Sequence, residues 1–231
     1  MLTEKKFFTK RTVMFIGLFA LIGFIALQIP LTQLAGSKVK FSAFDFFGPI
    51  AAGFIGTVPG IIAVFLMQLA NFLVHGAKVV DAGAIIRFFP MLFAAAYFGK
   101  KSKVLLAVPL FAISAFILNP VGGSVWYFSL YWLIPILCWF FHERFLLARS
   151  LGATFTAHAV GGALWVYAFN MPKAVWDTLI LVVFMERVLF ALGIAAVYVV
   201  LNNILNVLAE RKIVNLGSLV NKKYVWKMRH A

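Results

Sequence analysis

From Phe46 to Val74 the chain runs for twenty-nine residues without an ionisable side chain, ~44 Å if drawn as one continuous helix. That exceeds the ~30 Å hydrocarbon core of a bilayer. Yet the run is broken by Gly48, Pro49, Gly53, Gly56, Pro59 and Gly60. One straight helix does not need that punctuation, and Thr57-Val58-Pro59-Gly60 reads as a turn between two shorter helices. Ser42-Ala43-Phe44-Asp45 opens the first of them with a capping-box pattern, in which serine and aspartate satisfy free backbone amides. Whether the stretch is one crossing or a hairpin decides the side on which every later loop emerges.

Only 12% of the residues are charged and 64% are hydrophobic, against the about 25% charged residues of a soluble domain. Twenty-eight acidic and basic side chains cannot cover a soluble core of that composition. The sequence therefore predicts an integral, multi-pass protein of the cell membrane. The net charge of +14 does not indicate nucleic acid. Its basic residues gather at the N-terminus, in short loops and in the C-terminal tail, beside apolar runs, where topology and anionic lipid headgroups place them. The single cysteine, Cys138, excludes an intramolecular disulfide and a cysteine-based zinc site. The apolar run from Thr12 to Pro30 behind Lys5, Lys6, Lys10 and Arg11 is too long for a signal-peptide core and reads as an uncleaved first span.

The fold class expected is all-α, a polytopic bundle of about eight helices (six to eight) over 12–34, 43–57, 59–75, 83–99, 103–119, 124–141, 152–170 and 174–208. Residues 1–11 form a basic N-terminus, 12–208 the transmembrane domain and 209–231 a basic tail. Loop charge decides between eight helices and seven. With a hairpin at Thr57–Gly60, the N-terminus, Lys100, Lys101, Lys103, Arg144, Arg149 and the tail share one side, which then holds fifteen Lys and Arg against five opposite. With one crossing instead, the N-terminal side holds seven and the other thirteen. Only the hairpin obeys the positive-inside rule, with both termini cytoplasmic.

Polar residues inside such a bundle are expensive, so each is a candidate for function. Most fall toward the outer ends of the helices: Gln28 and Gln33 after the first, Arg87 opening the fourth, Asn119 closing the fifth, Trp126, Tyr127 and Tyr131 in the sixth. Trp165 and Asn170 close the seventh and Asp177 opens the eighth. Gln68, Asn71 and His75 follow i, i+3, i+7 and share one face, which must meet something other than lipid. An aromatic mouth with a few oriented donors suits a small amphipathic molecule. For Trp126, Tyr127 and Asn170 an aromatic belt with polar helix ends is the better account. Deeper lie His158, Glu186 and Arg187. Neighbours on a helix diverge by about 100°, so Glu186 and Arg187 are expected to look to other helices, His158 being the nearest candidate.

The chain lacks HExxH, GxSxG and the phosphate-binding GxxxxGK[ST]. No cofactor, metal or ATP site is expected, so any uphill transport draws on a partner or an ion gradient.

Several segments resemble the substrate-binding S components of energy-coupling-factor (ECF) vitamin transporters. They are Gln28-Ile29-Pro30-Leu31, then Val39-Lys40-Phe41-Ser42-Ala43-Phe44-Asp45 and Phe47-Gly48-Pro49-Ile50-Ala51-Ala52-Gly53. Leu69-Ala70-Asn71-Phe72-Leu73-Val74-His75 and Lys100-Lys101-Ser102-Lys103 complete the match, over about residues 12–104. The resemblance implies a membrane-embedded protein, not itself an enzyme, that captures a vitamin-like micronutrient from outside. It implies a transmembrane coupling subunit carrying two ATPases as partner, and Gln33, Asp45, Asn71 and Arg87 as pocket positions. Two other classes fit the sequence: an intramembrane enzyme on a lipid-linked substrate using His158, Glu186 and Arg187, and a cell-envelope scaffold.

Overall fold

The computed structural model describes residues 9–33, 40–76, 81–211 and 219–226. The fold is all-α apart from one short hairpin. Helix α1 (Lys10–Leu27) starts behind Thr9, whose hydroxyl accepts the Thr12 amide. It stops well short of residue 34, because Pro30 opens strand β1 (Pro30–Gln33), which pairs antiparallel with β2 (Lys40–Ser42). Proline lacks the amide hydrogen that a helix interior needs and is tolerated at a strand end.

The long uncharged run folds as a broken helix and a return. Helix α2 (Phe44–Phe47) gives way at Gly48-Pro49 to α3 (Ala51–Ile55). Half of the expected capping box forms: the Asp45 carboxylate accepts the Ser42 amide at 2.8 Å. The reversal falls at Gly56, whose φ of +93° suits glycine, so Thr57 already begins α4 (Thr57–Asn71) rather than the turn. Gly60 then lies against Ala52 so closely that a Cβ on it would sit 2.3 Å from the Ala52 Cα. In one continuous helix those residues would be ~12 Å apart. The stretch is a hairpin. Helix α4 ends in a π-helical turn, Phe72–Gly76.

Helix α5 (Ala82–Ile86) begins at Asp81, whose carboxylate accepts the Ala84 amide, and breaks at Arg87 before α6 (Phe88–Gly99). A 3-10 turn, Lys103–Leu106, leads into α7 (Ala107–Leu118); α8 (Pro120–Ser124) follows, and a 3-10 stretch, Trp126–Leu133, runs on into α9 (Ile134–Phe141). Helix α10 (Leu146–Ala168) starts six residues earlier than expected, and α11 (Lys173–Glu210) spans 38 residues. Among the described residues, three helices are long and apolar enough to cross a membrane: Thr57–His75, Ala82–Gly99 and Lys173–Glu210.

Helix α10 is the hub, packed against α6, α7, α9 and α11. Its small residues admit close neighbours, Tyr97 over Gly152 and Trp132 over Gly162. It buries Ser150, Thr154 and Thr156, whereas the outer surface displays Leu21, Phe111, Leu118, Leu137, Phe140, Leu181 and Leu189. Arg149 is part of α10 rather than of a loop, and its guanidinium donates to the Phe98 and Gly99 carbonyls, satisfying the free carbonyls at the end of α6.

Two apolar cores result. One joins α1, α3, α4 and α6 around Phe54, Met67, Phe98 and Tyr198; the other gathers Phe116, Phe128, Trp132 and Trp176. The last of the described chain, 219–226, lies along α11. The amides of Asn202 and Asn203 pair with its backbone at Asn221, Tyr224 and Trp226, and Lys223 donates to the Glu143 and Arg144 carbonyls.

Candidate functional site

At the seam of the two cores lies a cavity of about 190 Å³. Its walls come from β2, α2, α5, α6, the 3-10 stretch before α9, α10 and α11. On α11 the lining residues Trp176, Leu179, Val183, Glu186, Arg187, Phe190 and Ile194 form one face by helical spacing. On α10 they are Thr154, Ala157, His158, Gly161, Gly162 and Trp165. The helices run antiparallel, with Thr154 beside Arg187. Eleven residues separate Trp176 from Arg187, ~16 Å along the axis, so the cavity is elongated with chemically distinct ends.

The deep end is polar. Arg187, 6% exposed, has its guanidinium carbon 4.9 Å from the Phe41 ring centre and 4.6 Å from that of Phe190, a cation held against two π faces. It reaches Thr154 Oγ1 at a long 3.4 Å and Glu186 Oε2 at 3.8 Å. So Arg187 does reach Glu186, contrary to the expected divergence, but too distantly for a hydrogen bond. Neither residue turns to His158. That ring is taken by another helix segment: Trp132 Nε1–H donates to His158 Nδ1 at 3.0 Å. In the neutral ring the proton then resides on Nε2, leaving a donor on a cavity-lining residue.

The other end is aromatic, walled by Phe128, Trp165 and Trp176, with Arg87 exposed at the break between α5 and α6. Among the described residues, Ser150 Oγ, Trp176 Nε1, Arg187 Nε and Glu186 Oε2 are buried with no hydrogen-bond partner. Buried polar atoms left so cost about 1–3 kcal/mol each, and three of the four belong to residues that line this cavity.

The cavity thus unites Asp45, Arg87, His158, Trp165 and Glu186. Other candidates lie elsewhere. Gln68 donates to the Phe88 carbonyl, Asn71 accepts from Gln28, and His75 stacks on Phe24, so their shared face meets α1 and α6. Asn119 caps α8, its carbonyl oxygen accepting the Val121 and Gly122 amides. Trp126 is 52% exposed. Tyr131 donates to the Ile180 carbonyl and packs on Phe128 and Phe155. The Gln33 backbone pairs with Lys40 in the hairpin; its side chain falls outside the described residues, as does Lys78. Trp176 and Thr154 went unremarked in the sequence, because one looks like a belt tryptophan and the other like any small helical residue. The i, i+3, i+7, i+10 stripe from Trp176 to Glu186 was the available signal.

No group of three or more His, Cys, Asp or Glu stands ready for a metal ion among the described residues. What the site can do is hold a flat molecule between aromatic walls and engage it at both ends. Comparison of the chain with family models, curated proteins and solved structures finds no match.

Proposed function

We propose that this protein is a multi-pass membrane protein that captures a small amphipathic, vitamin-like molecule in the cavity between α10 and α11. In this reading it serves as the binding component of a micronutrient importer whose energy comes from a partner coupling subunit with ATPases. The observation that carries the binding reading is the set of buried, unpartnered polar atoms on Trp176, Glu186 and Arg187 along one cavity wall. The membrane setting is supported by the three long apolar helices and by an apolar exterior around a polar-lined central helix, the arrangement that lipid favours. The basic end carrying Lys100, Lys101, Lys103, Arg144, Lys222 and Lys223 is the cytoplasmic face, available to the partner.

Three measurements test this. Purified protein is screened for thermal stabilisation by vitamins and nucleobases, and its co-purifying proteins and small molecules are identified by mass spectrometry. Single cysteines at Lys173 and Ser102, in a Cys138→Ala background, are labelled in intact cells with an impermeant reagent. Stabilisation by one ligand class, recovery of an ATPase, and labelling at 173 but not 102 are expected. No stabilising ligand and no ATPase would defeat the importer reading, and the reverse labelling pattern would invert the topology.

A further inference from the structure

The charges facing the cavity do not balance. Arg187 brings one positive charge to the deep end, and Asp45 and Glu186 bring two negative ones. Both carboxylates lie within electrostatic range of the guanidinium, and they also act on each other. His158 adds nothing, because its Nδ1 is an acceptor for Trp132. Arg87, the remaining cation on the cavity wall, is exposed. It opens α6, where Pro90 packs at Gly161 and the preceding helix approaches Trp165. That places it toward the aromatic end, ~10–16 Å along α10 from Thr154. By formal charge the carboxyl groups of Asp45 and Glu186 thus outnumber the Arg187 guanidinium by one, in a setting where unpaired charge is costly.

Among the unpartnered atoms, Glu186 Oε2 points the same way, and the two donors call for acceptors on the ligand. Glu186 Oε2 is a buried acceptor without a donor. Trp176 Nε1–H and Arg187 Nε–H are buried donors without acceptors, on residues 2% and 6% exposed. The complementary molecule brings a charged N–H group to Glu186 and Asp45, and acceptor atoms beside that group and at its far end. A flat body between them lies among Phe128, Trp165 and Trp176, aromatic residues that favour cations as well as apolar surface.

We infer that the ligand is an organic monocation, a protonated amine or amidine on an elongated aromatic body, its charged end held by Glu186 and Asp45. The inference rests on the binding reading above and names the ligand class for that site.

The test uses three molecules with one indole body and different heads: tryptamine (cation), tryptophol (neutral) and indole-3-acetate (anion). Binding to the full chain in nanodiscs of zwitterionic lipid is measured by calorimetry, with protein-free nanodiscs subtracted. Tryptamine is expected to bind about tenfold or more tighter than tryptophol, and indole-3-acetate weakest. Glu186→Gln and Asp45→Asn, each first checked for a monodisperse elution profile, should bring tryptamine down to the level of tryptophol. Equal or tighter binding of the alcohol or the acid by the unaltered protein overturns the cation assignment and leaves a binding cavity. Failure of all three to bind also overturns the cation assignment, and the ligand screen above decides the binding reading separately.

Discussion

Trp132 donates its indole N–H to Nδ1 of His158 across 3.0 Å, tying the segment before α9 to the middle of α10. The bond sets which imidazole nitrogen carries the proton, and so which one can serve the cavity. Trp132→Phe keeps an aromatic ring against Gly162 but removes the donor. It should cost about 1–3 kcal/mol, the range for a buried acceptor left unpaired, read as a lowered thermal midpoint. It should also weaken whatever ligand the cavity binds, since the histidine is then free to change tautomer. An unchanged midpoint would mean that the bond contributes nothing.

Gly60 against Ala52 is the contact that closes the first hairpin. Gly60→Ala would put a methyl 2.3 Å from a backbone carbon that cannot rotate away. A loss of about 1–3 kcal/mol is expected, the usual penalty for overpacking. Gly17, on the exposed side of α1, has nothing within 4 Å of the same position. Gly17→Ala should instead stabilise by up to ~1 kcal/mol through helix propensity. Comparing the two thermal midpoints separates steric clash from the general effect of adding a methyl.

Asn203 spans two backbone groups of the tail, donating to the Tyr224 carbonyl and accepting the Trp226 amide. Asn203→Ala removes both of these bonds and a third to the Val199 carbonyl within α11; the two tail bonds alone are a loss of about 1–3 kcal/mol at roughly 0.5–1.5 kcal/mol each. Because the loss is local, it should appear as faster amide exchange at Val220–Trp226 with α10 unaffected. Asn206, whose amide reaches only the exposed Glu210, is the matched control.

His142 follows α9 at the basic end and is buried. Its Nε2–H donates to the Tyr97 carbonyl at 2.7 Å. Burial holds its imidazole below the ordinary 6.5, outweighing the opposing pull of that carbonyl and of Glu143. The unfolded chain therefore takes up the proton more readily than the folded one. Stability from this group is complete above about pH 6.5 and falls as the pH drops below it, by at most ~1.4 kcal/mol per unit. His142→Gln should flatten that part of the profile in a melting series from pH 7.5 to 5.

The sequence revealed this architecture unevenly. The hairpin was legible because glycine and proline interrupt an uncharged run and because loop charge penalised the alternative. Its turn came one residue early, at Gly56, since Pro59 fits the first turn of a helix as readily as a loop. The strand pair at Pro30–Gln33 and Lys40–Ser42 was not foreseen; its residues read equally well as the frayed end of a long first helix. Arg87, His158, Trp165 and Glu186 were singled out for being polar or aromatic within apolar runs, and Asp45 as a pocket position that the family resemblance implies. Which of them share a cavity depends on helix rotation, and a single sequence does not encode that in any local pattern. Gln68, Asn71 and His75 shared a face as their spacing required, but that face met Gln28, Phe24 and the Phe88 carbonyl.

The enclosure of α10 bears on how the molecule is assembled. This helix carries Ser150, Thr154, Thr156 and His158 and is missing from the segments apolar enough to cross a bilayer alone. In the membrane setting proposed above, α10 would enter lipid together with the helix that follows it, and a truncated chain ending near Phe169 should leave this segment in water.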